Sequence, residues 1–332
     1  MIRLPADKTG KSDQGKNSGA FPGLKRRFGM EVIKKKIKAN WQIYLLLLPV
    51  ILYTLIFNYI PMVGNVIAFE DYKPFKGIFG SEWVGLKHFL RFFSMKKGMT
   101  VLWNTLRISI YQLIAGFPLP VILALMINSC KHMRFKKIVQ TVTYAPHFIS
   151  TVVIVAIIKV FFSPSSGIIS NLLNTLGVID GPMNTLTSAS AFPHLYVWSG
   201  IWQGLGWNSI IYIGALSGVD PALHESAIID GANKLQRCRY IDFPAILPTI
   251  VLLLILNCGQ LMSVGFEKVF LMQNSLNLST SEILSTYVYK QGMQQSQYSF
   301  SAAVSLFNSV VNFAMLLIVN TIARVQGENS LF

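Results

Sequence analysis

Long apolar runs alternate with polar segments from residue 41 onward. Runs long enough to cross about 30 Å of hydrocarbon as a helix occur at 42–68, 101–128, 138–162, 193–217, 243–266 and 303–322. This pattern predicts an all-α polytopic membrane protein with six transmembrane helices. We place the transmembrane domain at 41–325, between a basic N-terminal tail, 1–40, and a short C-terminal tail, 326–332.

Basic residues predict how the chain is oriented in the membrane. Eleven of the 29 Lys and Arg residues precede Asn40, next to the first apolar run. With the N-terminus inside the cell, the segments before residue 41 and after residue 322 and the loops 129–137 and 218–242 are cytosolic and hold 19 basic residues, against eight in the outer loops. Positive loops stay on the cytoplasmic side, so cytoplasmic N- and C-termini are expected. The clustered charge also suits contact with anionic membrane lipid and argues against nucleic-acid binding.

Composition agrees with a membrane location. The 332 residues are 52% hydrophobic and 13% charged, which is too apolar for a soluble domain of this size. The three cysteines, Cys130, Cys238 and Cys258, lack the spacing of metal ligands. Neither a disulfide framework nor a metal site is expected.

Polar and aromatic residues recur inside the predicted spans at helical spacing. Residues three or four apart share a helix face, and buried amides cost free energy unless they are paired or line a wet path. Aromatic faces beside amides can bind a sugar, but the same amides can instead form bonds between helices. The candidate substrate path comprises Trp198, Trp202, Asn208, Tyr212, Asn257, Gln260, Asn308 and Asn312.

One polar island, 225–248, separates the fourth and fifth apolar runs. Asp220 and Pro221 are typical of a helix start, and Gly231 can end that helix or allow a sharp bend. Pro244 and Pro248 are expected where the chain turns back into lipid. The island therefore predicts a helix-turn-helix elbow outside the membrane.

The order of residues in this island resembles the "EAA" signature of binding-protein-dependent ABC importer permeases. Two positions depart from it: Ser226 stands where the family usually has Ala, and Cys238 where it usually has Phe. The resemblance implies a type I ABC importer permease fold, in which the segment 220–248 is a cytoplasmic coupling elbow that docks into a cleft of an ATPase subunit. The implied coupling residues are Glu225, Ala227, Asp230, Gly231, Ala232, Ile241, Pro244 and Pro248, with Gln236 as a further match.

Other phrases resemble the carbohydrate-uptake branch of these permeases. These sequence segments are 83–89 and 102–109. Three further segments resemble permeases for oligosaccharides or polysaccharide fragments: 264–271, 283–292 and 298–308. The resemblance implies a permease subunit of an ATP-driven importer for such sugars. The outer segment 163–192 contains no Lys or Arg, which suits an uncharged hydroxylated ligand as well as a plain loop.

The resemblance also implies the partners. They are a second homologous permease subunit, two ATP-binding subunits and an extracytoplasmic solute-binding protein, all at the bacterial cytoplasmic (inner) membrane. ATP and magnesium would be bound by the ATPase subunits, so this chain is expected to hold no cofactor, no metal and no catalytic residue.

Other functions compete with this interpretation. An ion- or proton-coupled secondary transporter needs acids within its spans, yet none of the 14 Asp and Glu residues falls inside a predicted span. Four of them lie at span edges: Glu70, Asp71, Asp242 and Glu267. An intramembrane enzyme is disfavoured because Gly-x-Ser-x-Gly and His-Glu-x-x-His motifs are absent. A non-transporting assembly or signalling subunit, using the elbow only for docking, is not excluded by the sequence.

Overall fold

The computed structural model describes residues 39–164, 166–178, 181 and 184–325. The predicted tails lie outside these residues, apart from the last two positions of the first tail. The chain divides into two compact units, Met1–Gly64 and Asn65–Phe332.

The first unit contains one described helix, α1, at Trp41–Thr54, which continues through a π-helical turn, Leu55–Tyr59, and a short turn, Ile60–Met62. None of its residues is buried by its own unit, and Leu46 is 77% exposed. A helix that is apolar all round is typical of a membrane span.

The second unit is helical apart from one short antiparallel pair, β1 (Glu70–Asp71) with β2 (Glu82–Trp83), over the residues described. Its helices there are Lys87–Ser94 (α2), Lys96–Gly116 (α3), Pro118–Asn128 (α4), Met133–Tyr144 (α5), Thr151–Phe161 (α6), Ile168–Thr175 (α7), Phe192–Leu216 (α8), Pro221–Ile229 (α9), Lys234–Arg237 (α10), Phe243–Cys258 (α11), Phe266–Met272 (α12), Leu278–Ser281 (α13), Leu284–Tyr289 (α14) and Tyr298–Val325 (α15).

Four helices in the described part of the chain are long and apolar enough to cross a membrane. Three of them combine shorter elements: α1 with the helical turns that follow it as far as Phe69, α3 with α4, and α10 with α11 through a π-helical turn, Cys238–Asp242. The four are Trp41–Phe69, Lys96–Asn128, Lys234–Cys258 and Tyr298–Val325. The predicted spans 42–68, 101–128 and 303–322 each fall within one of them, whereas the run 243–266 is helical only as far as Cys258.

The predicted span 138–162 is not one straight helix. It divides into Met133–Phe148 and Thr151–Phe161, whose axes differ by 99°. Ile149 between them is extended, with φ −81° and ψ 129°, and the hydroxyl of Ser150 accepts a hydrogen bond from the Val153 N–H at 3.4 Å. Such a side-chain cap starts a new helix, so the break is fixed by local chemistry.

The predicted fourth span coincides with α8, which has 25 residues and is therefore about 38 Å long. Length alone would allow it to cross a membrane, but it is not among the four helices that are also apolar enough. Counting the bent pair gives at most five candidate spans in the described residues, so the number six stays a prediction.

Helix α8 is the centre of the second unit, because it packs against α3, α4, α5 and α11. One hydrophobic cluster joins its C-terminal half, through Tyr212 and Leu216, to Val121 of α4 and Ile246 of α11. A second cluster joins its N-terminal half to α3, α6 and α12. Burying these side chains supplies the main packing energy of the unit.

Two helices of this core approach each other closely at Gly206 of α8. A Cβ atom at this position would overlap the backbone carbonyl of Thr143 in α5 and come within 2.8 Å of the Tyr144 ring. Glycine is therefore required by space and not by backbone conformation. At Gly214, two turns further along the same helix, a Cβ atom would have no neighbouring atom within 4 Å.

Gly206→Ala is expected to destabilise the protein by about 1–3 kcal/mol, because the added methyl group overpacks the contact with α5. The melting temperature of the purified protein in detergent measures this effect. Gly214→Ala is the matched control and should be neutral or slightly stabilising. Equal melting temperatures for the two variants would contradict the assigned packing.

Candidate functional site

A cavity of about 270 Å³ opens between α3, α4, α8 and α11. Its wall combines apolar side chains with amides and hydroxyls, and no charged residue lines it among those described. The polar residues that line it are Ser109, Gln112, Asn208, Tyr212, Asn257, Gln260 and Ser263. Groups of this kind both donate and accept hydrogen bonds, so the cavity can bind a ligand that carries hydroxyl groups.

Four of the eight predicted path residues lie together in this cavity: Asn208, Tyr212, Asn257 and Gln260. Asn257 donates a hydrogen bond from Nδ2 to the Leu253 carbonyl at 2.7 Å, which leaves its Oδ1 available. The spacing of three or four residues therefore identified cavity residues on two different helices.

The two predicted tryptophans do not line the cavity. Trp198 and Trp202 are about half exposed, and the Trp198 Nε1–H donates to the Tyr111 hydroxyl at 2.8 Å. At about 100° and 1.5 Å per residue, Trp202 is turned about 120° from Asn208 around the helix axis, and Trp198 lies about 15 Å before Asn208 along it.

The two predicted asparagines of α15 also lie outside the cavity. Asn312 accepts a hydrogen bond from the Met262 N–H at 2.8 Å and donates one to the Ser263 hydroxyl at 2.9 Å. It therefore ties α15 to the turn that follows α11. The Oδ1 atom of Asn308 is buried without a hydrogen-bond partner in the described structure.

Sequence reasoning missed two cavity residues on α3, Ser109 and Gln112. The Ser109 hydroxyl is buried, lines the cavity and has no hydrogen-bond partner among the described residues. A buried polar group without a partner costs free energy, so a ligand hydroxyl would find an unused partner here. Ser109 and Gln112 are three residues apart, and this helical spacing of polar residues is the signal by which the sequence could have identified them.

A buried lysine lies beside the cavity. Lys268 of α12 is 8% exposed, and its Nζ donates to the Tyr196 carbonyl at 3.2 Å and lies 5.1 Å from the centre of the Tyr196 ring. Burial lowers the pKa of Lys268 from 10.5 to about 8. The ammonium group is thus still mostly charged at neutral pH.

The predicted elbow is held in shape by backbone hydrogen bonds. Helix α9 ends at Ile229, two residues before Gly231, whose φ is +80°. The Ala232 N–H bonds to the Ala227 carbonyl at 2.8 Å, and the Gly231 N–H bonds to the Ile228 carbonyl at 3.0 Å. This is the Schellman arrangement, which favours glycine because its φ is positive. Asp230 is the last residue before that turn.

The second half of the elbow starts on a reciprocal cap. The Gln236 N–H donates to the Asn233 side chain at 2.9 Å, and the Asn233 N–H donates to the Gln236 side chain at 2.8 Å. This capping box starts α10, and it gives the family-like Gln236 a structural role that the sequence analysis did not assign.

The two prolines of the motif lie inside one continuous helix, and their predicted place at the return into lipid stays a prediction. The helix that begins at Lys234 runs through them without interruption to Cys258. A proline ring clashes with the carbonyl four residues earlier in a regular helix, and for Pro244 that carbonyl belongs to the wider π-helical turn that also contains Ile241. The second arm of the elbow is therefore the first part of a membrane-length helix.

A buried carboxylate connects the elbow to two other helices. Asp242 is 4% exposed, its Oδ1 lies 3.3 Å from the His224 Nε2 of α9, and it accepts a hydrogen bond from the Asn128 side chain of α4 at 3.1 Å. We call these three residues the Asp242 tie. The Asp242 tie consequently links α9 to α4 and to the start of α11.

The elbow presents both charge and apolar surface to the outside. Glu225 is exposed and forms no ion pair with any described residue, while Ile229 and Leu235 are 86% and 77% exposed. Exposed apolar side chains on either side of such a bend can form part of an interaction surface.

Comparison with known proteins assigns the family. Residues 100–324 match the family described as "Binding-protein-dependent transport system inner membrane component". The chain belongs to this family. It is a membrane-embedded permease subunit of a transport system, and the resemblance stated from the elbow motif is confirmed.

Several relatives align with nearly the whole permease. The polygalacturonan/rhamnogalacturonan transport system permease protein YteP of Bacillus subtilis (strain 168) is 41% identical over 308 residues, which are 93% of this chain and 94% of YteP. Protein LplB of the same organism is 42% identical over 296 residues, or 89% and 92% of the two chains.

A solved structure shares the fold. One chain of a bacterial alginate ABC transporter, in complex with an alginate pentasaccharide-bound periplasmic protein, matches the permease with a TM-score of 0.82 and 37% identity. The match covers 90% of this chain and 99% of that one.

Gln260→Leu is expected to weaken substrate affinity by a few-fold to about tenfold, because one neutral hydrogen bond from the cavity wall is lost. The KM of uptake in proteoliposomes measures it. Asn312→Leu is the contrasting variant, because it removes the bonds to Met262 and Ser263 and should lower the melting temperature. An unchanged KM for Gln260→Leu would contradict its place on the path.

Lys268→Gln is expected to change how stability depends on pH. The folded pKa near 8 lies below the ordinary 10.5, so between these values the unfolded chain holds a proton that the folded chain has lost. The native protein should therefore gain stability relative to Lys268→Gln as pH rises through this window, and not below it. Melting curves of both proteins across the pH range provide the measurement, and a constant difference would refute a buried ammonium.

Proposed function

We propose that this permease is a subunit of an ATP-driven importer for oligosaccharides or fragments of polysaccharides. The observation that carries the proposal is the 41% sequence identity to YteP over 93% of this chain. YteP is named for polygalacturonan and rhamnogalacturonan transport. The matching alginate transporter structures support it, and one of them is described as importing the acidic polysaccharide alginate.

The chemistry of the cavity supports a sugar as its ligand. Amides of Asn208, Gln260 and Gln112 face the same space as hydroxyls of Ser109 and Tyr212. Sugar hydroxyls donate and accept hydrogen bonds at once, which matches this mixture. A cavity of about 270 Å³ is near the small end of ligand pockets, so it would hold only part of an oligosaccharide, and the partner subunit would complete the path.

The proposed topology has six spans with both termini in the cytoplasm of a bacterial cell. The bent pair α5 and α6 would form the third span, and α8 the fourth. With this orientation the elbow is cytoplasmic, in agreement with the distribution of Lys and Arg.

The proposed assembly contains a second homologous permease subunit, two ATP-binding subunits and an extracytoplasmic solute-binding protein. The exposed Ile229 and Leu235 on either side of the Gly231 bend support docking of the elbow into a groove of an ATP-binding subunit. ATP and magnesium belong to that subunit, so this chain carries neither a cofactor nor a catalytic group.

The proposed mechanism is alternating access driven from the elbow. ATP favours the closed state of the ATPase dimer, and the elbow moves with the subunit to which it is bound. The Asp242 tie then passes this movement to α4 and α11, which form two walls of the cavity. Because ATP binds the two states with different affinity, it shifts the equilibrium between inward- and outward-facing cavities.

Glu225→Lys is expected to abolish stimulation of ATPase activity by the sugar-loaded binding protein, because a reversed charge at an exposed docking residue is repelled where the carboxylate was attracted. The complex is reconstituted with its partner subunits, and ATP hydrolysis is measured with and without the loaded binding protein. The native complex should hydrolyse ATP faster when the loaded binding protein is added. The variant, expressed at the normal level, should stay at its basal rate of ATP hydrolysis.

Ser226→Ala is the matched control in the same helix, since its hydroxyl bonds only locally, to the Leu223 carbonyl at 3.1 Å. It should retain full stimulation. Stimulation that survives Glu225→Lys would contradict the coupling role. ATPase activity indifferent to binding protein and elbow would favour the assembly or signalling subunit, and uptake that follows an ion gradient without ATP would favour the secondary transporter.

A further inference from the structure

The ammonium group of Lys268 has only neutral partners in the described structure. Its Nζ bonds to the Tyr196 carbonyl and lies near the Tyr196 ring, and no described carboxylate oxygen lies within 4 Å. The buried Glu282 is already paired with Lys97 and Lys290, at 3.1 and 3.0 Å. Burying a charge without a counter-charge is costly.

A purely structural role does not require this charge. The same region uses amides to bond backbone carbonyls: the Gln273 side chain donates to Ser281 at 2.8 Å, and the Asn274 side chain donates to Leu186 at 2.9 Å. A glutamine at position 268 could make an equivalent bond with a smaller desolvation cost. The positive charge therefore calls for a separate explanation.

The lysine lies directly behind one wall of the cavity. A Cβ atom at Gly200 would lie 3.3 Å from the Lys268 Nζ, and Gly200 itself lines the cavity. Because glycine has no side chain, nothing from position 200 separates the ammonium from that wall. Val264, four residues before the lysine, also lines the cavity.

We propose that Lys268 determines specificity by attracting a carboxylate of an acidic sugar, such as a uronic acid unit, at the Gly200 wall of the cavity. This inference rests on the proposed sugar import. The amides and hydroxyls of the cavity bind sugar hydroxyls, while its lining offers no charge of its own among the described residues. In a site of low dielectric constant one nearby cation attracts an anion strongly, so this residue separates acidic from neutral sugars.

The test compares binding of two matched probes to the purified complex without its binding protein. The probes are digalacturonate and its dimethyl ester, which differ in charge and hardly in size. The native complex should bind the acid more tightly than the ester. Lys268→Gln keeps a donor for the Tyr196 carbonyl but removes the charge, and it should weaken binding of the acid by about tenfold or more while ester binding changes less than about twofold.

Lys290→Gln is the matched control, because it removes a charge from an ion pair whose carboxylate still has Lys97. It should leave the preference for the acid intact. Equal weakening of both probes by Lys268→Gln would indicate a structural role, and unchanged binding of the acid, or no preference for it in the native complex, would overturn the inference. If sugar-loaded binding protein still stimulates the ATPase activity of the complex, these outcomes contradict only the role of Lys268 and not sugar import. If the native complex shows no such stimulation, both the proposed function and this inference are contradicted.

Discussion

The packing of α8 is the constraint on which the rest of the second unit depends. Several helices contact it, and at Gly206 its backbone meets the Thr143 carbonyl of α5 with no room for a side chain. The same helix contributes Asn208 and Tyr212 to the cavity and Tyr196 to the contact with Lys268. The part of the cavity wall that α8 forms is therefore fixed in place by packing on several sides of that helix.

Membrane-length helices could be predicted from the sequence where apolar runs were long and uninterrupted, because the hydrocarbon thickness sets the required length directly. The bend at Ile149 could not, since a proline such as Pro146 occurs near helix starts as well as helix ends. The elbow was predictable because glycine is the residue that best tolerates the positive φ at a helix end, as at Gly231. The continuous helix through Pro244 was not, because it depends on a π-helical turn that no residue pattern predicts.

The candidate site was predictable in part. Helical spacing selected Asn257 with Gln260 and Asn208 with Tyr212, and these pairs line the cavity, but the same spacing selected Trp198 and Trp202, which do not line it. Spacing describes one helix at a time, while a cavity depends on how several helices face one another. The burial of Lys268 could not be predicted for this reason, since the residue lies in a predicted outer loop.

The two caps at Gly231 and Asn233 have an energetic consequence for docking. Residues held by their own backbone bonds have little conformational freedom left, and each residue ordered on binding would otherwise cost roughly 1–2 kcal/mol. The elbow is therefore preformed, and the proposed docking into a groove would cost little free energy for ordering it. In the proposed mechanism, the free energy of ATP binding is then available to tilt the helices that the elbow joins.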